Sequence, residues 1–444
     1  MRVLALLCVL VAATVSPVVA AAPSGSAGIA SGKLAGGGSY IVRTQRAVPV
    51  AAVELWFRAP SVGFARDPVA GISLLAAKAV AASIPITGTA LSRFVSDMGG
   101  KLSISSYPDS VGISALVPAN RAGEVVRVMT SVYFTPVLTA AGLRTARGDV
   151  IQEALIRSFD SDEVLRDALL EQLFATGPAH YSIYGKPEDV RKITLDTLTD
   201  FAIRAFRAKN AYLVVTGAVD SQVVARAVDG RPKAAGDGGE SAAANTVASP
   251  APTVARDFAD PAFGYAFAGP AIADERAATA MDFISDYLFR SESGAVSRKL
   301  AGAAINVTGQ FVTYRNPGVM LVQLSGGGDL GAARTALDGA LAQMRKPLDK
   351  RTFEVARDAF VYHLLSDLQT PLQLADNFGW YSVEGNAPYA PGLAGAGGRY
   401  FAAAKSLTAD YVAGIATKYL MTPGATVTLG PAVRPKPQAT AELQ

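Results

Sequence analysis

The chain has 444 residues, half of them hydrophobic, and a formal net charge of +4 at pH 7. This length exceeds what one hydrophobic core usually serves, so two domains or more are predicted. The small charge and the scattered lysines and arginines argue against a nucleic-acid-binding surface. Cys8 is the only cysteine, so a chain that has lost its N-terminal segment has no disulfide and no thiol nucleophile.

The N-terminal segment has the three zones of a secretory signal. Arg2 precedes an apolar run over residues 3–15, and small residues follow up to Ala20. The apolar run is shorter than the roughly 20 residues that span a bilayer. We therefore predict a signal peptide over residues 1–20 and export to the periplasm, the cell envelope or the extracellular space. No stable membrane span is expected after cleavage.

Two tracts rich in alanine, glycine and serine divide the remaining chain. Residues 21–38 are predicted to be a flexible leader, and residues 230–255 a linker between two parts of similar length. The predicted domains are therefore an N-terminal domain over 39–229 and a C-terminal domain over 256–432, followed by a tail over 433–444.

The two parts resemble each other in the order of their predicted elements. Each opens with a strand-like run that ends on proline, Pro60 and Pro270, which are 210 positions apart. Each continues with a long helix and a pair of alternating segments, and closes with an amphipathic helix and a strand. Asp410 lies 210 positions after Asp200 within the closing helices. The predicted fold class is α+β, with two homologous α/β sandwich domains. The alternating pairs are 102–106 with 111–117, and 304–312 with 318–324.

The passage from Tyr184 to Thr194, followed by residues 213–217, resembles the pitrilysin/insulinase family of zinc peptidases, which includes mitochondrial processing peptidase. The resemblance covers roughly residues 39–432. It implies a half-clamshell of two mainly antiparallel sheets, each covered by helices, around a peptide-binding chamber. The other matching positions are 71–75, Gly88, 98–102, Pro136, Phe201, Asn210, 297–300 and Gly318.

The resemblance also identifies the chemistry that is missing. Active members carry His-x-x-Glu-His on the first long helix, where two histidines hold zinc and the glutamate is the general base. Leu74, Ala77 and Lys78 stand at those positions, and a lysine charge opposes metal binding. Glu153 matches the third ligand, and without metal it is expected to be solvated or salt-bridged. We predict that the protein holds no zinc and no other cofactor.

The absence of the zinc helix does not depend on the alignment, since the chain contains only His180 and His363. In the second half, active members supply an arginine and a tyrosine that steady the scissile carbonyl. Residues 301–307, which follow the matching motif, contain neither. Tyr314 and Arg315 come later, in a predicted hairpin turn before Pro317.

Peptide binding could persist without catalysis, because family members capture peptides along an exposed strand edge. The matching edge is Lys101, Leu102, Ser103, Ile104, Ser105 and Ser106, although this segment could also be an ordinary strand of the sheet. The leading hypothesis is a non-catalytic, chamber-forming partner of a zinc-bearing relative. The alternative is a stand-alone protein of the cell envelope that binds unstructured peptides, and a third hypothesis is a peptidase with unrecognised catalytic residues.

Overall fold

The computed structural model describes residues 28–64, 67–82, 84, 88–229, 244–393 and 397–431. The predicted signal peptide and the predicted tail lie outside the described residues. The strands are β1 (Ile29–Lys33), β2 (Ser39–Thr44), β3 (Val50–Arg58), β4 (Lys101–Ser106), β5 (Ser110–Pro118), β6 (Phe174–Thr176), β7 (Ala211–Gly217), β8 (Thr246–Val247), β9 (Val254–Asp257), β10 (Ala262–Gly269), β11 (Asn306–Val312), β12 (Gly318–Ser325) and β13 (Ala425–Gly430).

The helices alternate with these strands in both halves of the chain. None of those in the described ranges is both long enough and apolar enough to cross a bilayer. The helices are α1 (Ile72–Ala81), α2 (Leu91–Asp97), α3 (Ala122–Phe134), α4 (Ala140–Arg157), α5 (Ser161–Leu173), α6 (Pro187–Lys192), α7 (Leu195–Ala205), α8 (Ser221–Val228), α9 (Glu275–Phe289), α10 (Ala295–Lys299), α11 (Leu330–Met344), α12 (Lys350–Ser366), α13 (Pro371–Val383), α14 (Arg399–Lys405) and α15 (Ala409–Tyr419).

Two sheets organise the fold, and they repeat one topology. The first has the strand order β1-β2-β7-β3-β5-β4 and the second the order β11-β12-β10-β13-β9. In each sheet most neighbours are antiparallel, and one pair is parallel, β2 with β7 or β13 with β9. A short β6–β8 pair lies apart from both. The predicted fold class, with two similar and mainly antiparallel units covered by helices, is confirmed.

Each half covers one face of the other half's sheet with a helix. Helix α5 of the first half packs on β10, β12 and β13, and α13 of the second half packs on β3 and β7. Leu165 and Leu169 of α5 accordingly share a buried cluster with residues of β10. Phe378 of α13 lies in a cluster that includes Ala52 and Val214 of the first sheet. Two of the three buried clusters therefore contain residues of both halves.

Local sequence signals set the ends of these helices. Thr370 caps α13 through a capping box with Gln373, and Pro371 occupies the first helical turn. Helix α5 begins 210 positions earlier, where the Asp160 side chain accepts hydrogen bonds from two backbone N–H groups of the first turn. The two exchanged helices are thus equivalent elements of the repeat.

Two glycines of the family-like passages fix the start of α1. Gly71 has φ 85° and Gly185 has φ 66°, and a side chain on either would overlap the backbone of the other passage. Only glycine allows this approach at positive φ without strain. The two distant motifs are therefore parts of one packing contact.

Parts of the predicted leader and of the predicted linker form strands. Residues 29–33 form β1, which pairs with β2, and Gly32 lets the ring of Tyr40 lie across it. Thr246–Val247 and Val254–Asp257 form β8 and β9, and Gln172 donates a hydrogen bond to the Pro252 carbonyl between them. The small residues of both tracts predict a flexible chain. Small residues also allow a strand to pair closely with its neighbour, as they do here. Residues 230–243 of the predicted linker lie outside the described residues.

The predicted correspondence of Asp410 with Asp200 is wrong by about one helical turn. Thr194 caps α7 and Thr408 caps α15, each by accepting a hydrogen bond from the N–H three residues later. Aligning the caps pairs Asp410 with Asp196. The spacing of the repeat therefore changes between α13 and α15.

Candidate functional site

The positions that match the zinc site meet where α1 packs on α4. The Lys78 ammonium on α1 forms an ion pair with a carboxylate oxygen of Glu153 on α4. The lysine side chain is 16% exposed and that of Glu153 is 42% exposed, so the lysine is the more buried partner. The structure thus brings together the second-histidine and third-ligand positions, and a salt bridge joins them.

The rest of α1 offers nothing to a metal ion. Leu74 and Ala77 are buried, and the Ala77 carbonyl accepts a hydrogen bond of 3.0 Å from the Tyr133 hydroxyl. A buried leucine supplies no ligand atom, and a fixed ammonium repels a divalent cation. Across the described ranges, no three His, Cys, Asp or Glu side chains gather as metal ligands would. These residues do not fit zinc.

The second half repeats this helix-to-helix contact with different residues. His363 on α12 lies 210 positions after Glu153, and its Nδ1 contacts the Asp286 carboxylate of α9 at 2.9 Å. Asp286 is also paired with Arg290. The first and fourth helices of each half, α1 with α4 and α9 with α12, are therefore both joined by a polar side-chain contact.

The other histidine has a local role. The Nδ1 atom of His180 donates to the Phe174 carbonyl at 2.6 Å, and the ring packs edge-on against Tyr181. His180 also lines a cavity of about 710 Å³ behind the α4–α5 corner. Neither histidine is near Lys78 or Leu74 in the contacts of the described residues.

A larger cavity of about 780 Å³ opens in front of the Lys78–Glu153 pair. Leu74 and Glu153 line it, as do Ile104, Ser105 and Ser106 from the end of β4. Two of the four zinc-site positions, Leu74 and Glu153, therefore face the same space as the end of the predicted peptide edge. The remaining lining residues are Tyr107, Pro108, Ile156, Arg157, Asp160, Glu163, Arg166, Asp167, Leu170, Tyr181, Ile183, Tyr184 and Tyr314.

Charged side chains on the cavity wall are paired with one another. Arg157 contacts Glu163 at 2.5 Å and lies over the Tyr184 ring at 4.4 Å from its centroid. Arg166 pairs with Glu163 at 3.1 Å and with Asp167 at 3.6 Å. Burial raises the pKa of Asp167, while Arg166 acts in the opposite direction. This network could not be predicted from the sequence, because its charged residues have the pattern of the solvated faces of α4 and α5.

Strand β4 is an edge strand of the first sheet. It pairs with β5 on one side and, among the described strands, with none on the other. Its side chains alternate: Lys101, Ser103 and Ser105 are exposed, Leu102 and Ile104 are half-buried, and Ser106 is buried. An unpaired edge of this kind presents backbone N–H and C=O groups to an added strand.

Tyr314 and Arg315, the tyrosine and arginine of the predicted hairpin turn, make structural contacts. Arg315 donates to the Val383 carbonyl at 2.8 Å, and its backbone N–H donates to Glu384 at 2.7 Å. Tyr314 reaches the cavity wall but is buried, and burial raises the pKa of its hydroxyl. Neither side chain extends freely into the cavity.

Comparison with solved structures identifies the same fold in bacterial peptidases. A protease from Helicobacter pylori superposes with a TM-score of 0.80 at 16% identity, over 91% of this chain and 99% of that one. A protein described as M16-like peptidase, from Alicyclobacillus acidocaldarius, gives 0.77 at 17% identity, over 91% and 98%. An inactive M16 peptidase domain from Pseudomonas fluorescens gives 0.73 at 17% identity, over 92% and 100%.

Neither protein-family models nor curated proteins gave a match to the sequence. The structural likeness, at these identities, establishes the fold. It is the M16 peptidase fold, the class to which the pitrilysin/insulinase resemblance points, and on it a lysine–glutamate pair stands where that resemblance places zinc ligands.

Proposed function

We propose that this protein is a non-catalytic M16-like protein that forms one wall of a peptide chamber beside a zinc-bearing relative. The Lys78–Glu153 ion pair carries the proposal. It holds α1 and α4 together without a metal, while the fold that surrounds the cavity is retained. A chain that keeps the chamber wall and lacks the ligands suits a pair in which the other subunit supplies the chemistry.

Two further observations support this role. One of the similar structures is described as an inactive M16 domain, so the fold exists elsewhere without activity. The signal-like residues 1–20 favour export, which would locate the pair in the periplasm, the cell envelope or outside the cell.

Co-expression tests the partner directly. The full chain, carrying an affinity tag, is expressed with an M16 relative of the same organism that has an intact His-x-x-Glu-His helix. We expect a complex that survives size-exclusion chromatography and contains the relative's zinc. An unrelated exported protein with the same tag is the control. Separate elution of the two chains at micromolar concentration would contradict the pairing.

The alternative function, a stand-alone peptide-binding protein of the cell envelope, is favoured by the edge strand. The end of β4 lines the cavity, and its exposed face carries small serines. An unstructured peptide could add to this edge through backbone hydrogen bonds. Nothing in the described residues favours the third hypothesis, a peptidase with unrecognised catalytic residues.

Proline substitution in β4 tests peptide binding. Replacing Ser103 or Ser105 with proline removes one backbone N–H, so we expect affinity for unstructured peptides to fall about threefold to tenfold. Ser103→Ala and Ser105→Ala keep the N–H and should bind as the wild type does. Calorimetric titration measures the affinity, and thermal unfolding of the same variants measures stability. A collapse of the unfolding temperature, together with a wild type that binds no peptide, would make β4 a purely structural strand.

A further inference from the structure

The C-terminal end of α13 presses against the turn between β4 and β5. Glu384, which ends the helix, is 1% exposed. Its carboxyl group lies within hydrogen-bonding reach of Asp109, which belongs to that turn. The Asp109 carbonyl also accepts a hydrogen bond of 3.1 Å from the Ala59 N–H. This carboxyl pair therefore joins the second half of the chain to the first.

The hydrogen bonds around the pair leave a place for one proton. Glu384 Oε2 accepts from the Arg315 N–H, but Glu384 Oε1 and Asp109 Oδ1 are both buried and neither meets a donor. Two ionised carboxylates would leave both oxygens unsatisfied and would repel each other. If one of the two carboxyl groups is protonated, its hydroxyl donates a hydrogen bond to the other group, so that both buried oxygens are satisfied.

Nearby cations do not fill this role, since they are directed elsewhere. Arg58 of β3 and Arg315 of the β11–β12 hairpin both donate to the Val383 carbonyl, at 3.0 Å and 2.8 Å. They cap the last turn of α13, where cations are favoured. Tyr314 is the remaining titratable group that acts on the pair within the described residues.

The pKa values of both carboxyl groups agree with a shared proton. Burial raises the pKa of Glu384 well above its ordinary 4.5, and the charge of Asp109 raises it further, against a smaller opposing effect of Arg315. Burial also raises the pKa of Asp109, but its hydrogen bond to Glu384 lowers it. The pKa values of both groups are therefore raised, as expected of two buried carboxyl groups that share one proton.

A second pair joins α13 to the first sheet. Glu54 of β3 is fully buried and accepts hydrogen bonds from Trp56 Nε1 at 2.7 Å and from Ser114 Oγ at 3.0 Å. The Asp376 carboxylate of α13, which is exposed, lies close to the Glu54 carboxylate. Burial raises the pKa of Glu54 well above its ordinary value of 4.5, and the negative charge of Asp376 is the next largest cause. Tyr107 is the other titratable group beside this pair.

We propose that α13 is held against the first half by a proton shared between Asp109 and Glu384, so that alkaline pH loosens the contact between the two halves. This device goes beyond the proposed function and needs neither a partner subunit nor a bound peptide. It makes the junction behind the cavity sensitive to pH, because Ser106, Tyr107 and Pro108 of the cavity wall lead directly into Asp109.

The direction of the pH effect follows from the raised pKa values. A carboxyl group with a raised pKa in the folded protein contributes stability that is fully present below its unfolded pKa. That contribution is lost as the pH rises through the folded pKa. For Glu384 and Glu54 the window therefore begins at the ordinary value of 4.5 and extends upward.

Replacing Glu384 with glutamine tests the proposal, because the amide N–H₂ supplies a permanent donor to Asp109. Thermal unfolding of the full chain is measured from about pH 5 to about pH 9. We expect E384Q to unfold roughly 2–4 °C above the wild type at the alkaline end of this range. The fall in unfolding temperature with rising pH should also be smaller in E384Q than in the wild type. Glu188→Gln, at an exposed glutamate of α6, is the matched control and should follow the wild type.

A second variant and a spectrum keep the test decisive. In Asp109→Asn, the new amide donates a hydrogen bond to an ionised Glu384. This variant should therefore also show a smaller fall in unfolding temperature with rising pH, even if E384Q folds poorly. The infrared band of protonated carboxyl groups should persist in the wild type at neutral pH and weaken in E384Q. Wild-type-like pH dependence in both variants, or no such band in the wild type, would overturn the proposal.

Discussion

Replacing Gly379 with alanine is expected to lower the free energy of unfolding by about 3 kcal/mol. Gly379 lies in α13, where the added methyl group would fall inside the van der Waals radius of the Trp56 indole. Trp56 cannot move away easily, because it is buried, donates to Glu54 and stacks on Tyr107 at 5.6 Å. The clash therefore separates α13 from the first sheet.

Gly339→Ala is the matched control for this substitution. Gly339 is also helical, in α11, but it is exposed and no atom lies near the position of the added methyl group. Alanine should stabilise that helix by up to about 1 kcal/mol. Chemical denaturation of both variants measures the difference. Equal stability of G379A and G339A would mean that α13 does not pack tightly on the first sheet, contrary to the exchange of helices described above.

Restoring two histidines should change the metal content of the protein from none to about one zinc per chain. In Leu74→His/Lys78→His the two imidazoles share a face of α1, and removal of the lysine frees the Glu153 carboxylate that it now pairs with. Metal analysis after extensive dialysis measures the outcome. Leu74→His alone keeps the Lys78–Glu153 pair, so it should bind little zinc. A double variant without zinc would mean that α1 and α4 do not bring these positions within reach of one ion.

Peptidase activity should stay at background in the double variant, which has no general base. Adding Ala77→Glu would supply the base but should lower stability by about 2 kcal/mol, because Ala77 is fully buried beside Tyr133. The arginine and tyrosine that the family resemblance implies after residues 297–300 are also missing from residues 301–307. Robust peptide cleavage by the triple variant would contradict this part of the account.

The repeat and the edge strand could be predicted because their signals are local. The alternation of Leu102 and Ile104 with serines indicates a strand with one buried face, and the structure has β4 with that pattern. The match of Lys78 with Glu153 came from the family resemblance, and the packing of α1 on α4 brings the two together.

The exchange of α5 and α13 could not be predicted, because no sequence pattern says which sheet an apolar helix covers. One cue was present in β3 and β10, which are buried along nearly their whole length, as strands covered on both faces are. Glu54 was a second cue. A single carboxylate within such an apolar run needs a partner, and Asp376 is distant in sequence.

The zinc content of the purified wild-type protein tests the central claim most directly. Elemental analysis is made on the full chain, expressed alone in zinc-supplemented medium and dialysed without chelator. Leu74 and Lys78 offer no ligand atom for zinc, and the Glu153 carboxylate is paired with the Lys78 ammonium. We therefore predict less than about 0.1 zinc per chain. About one zinc per chain that a chelator removes would contradict a non-catalytic M16-like protein.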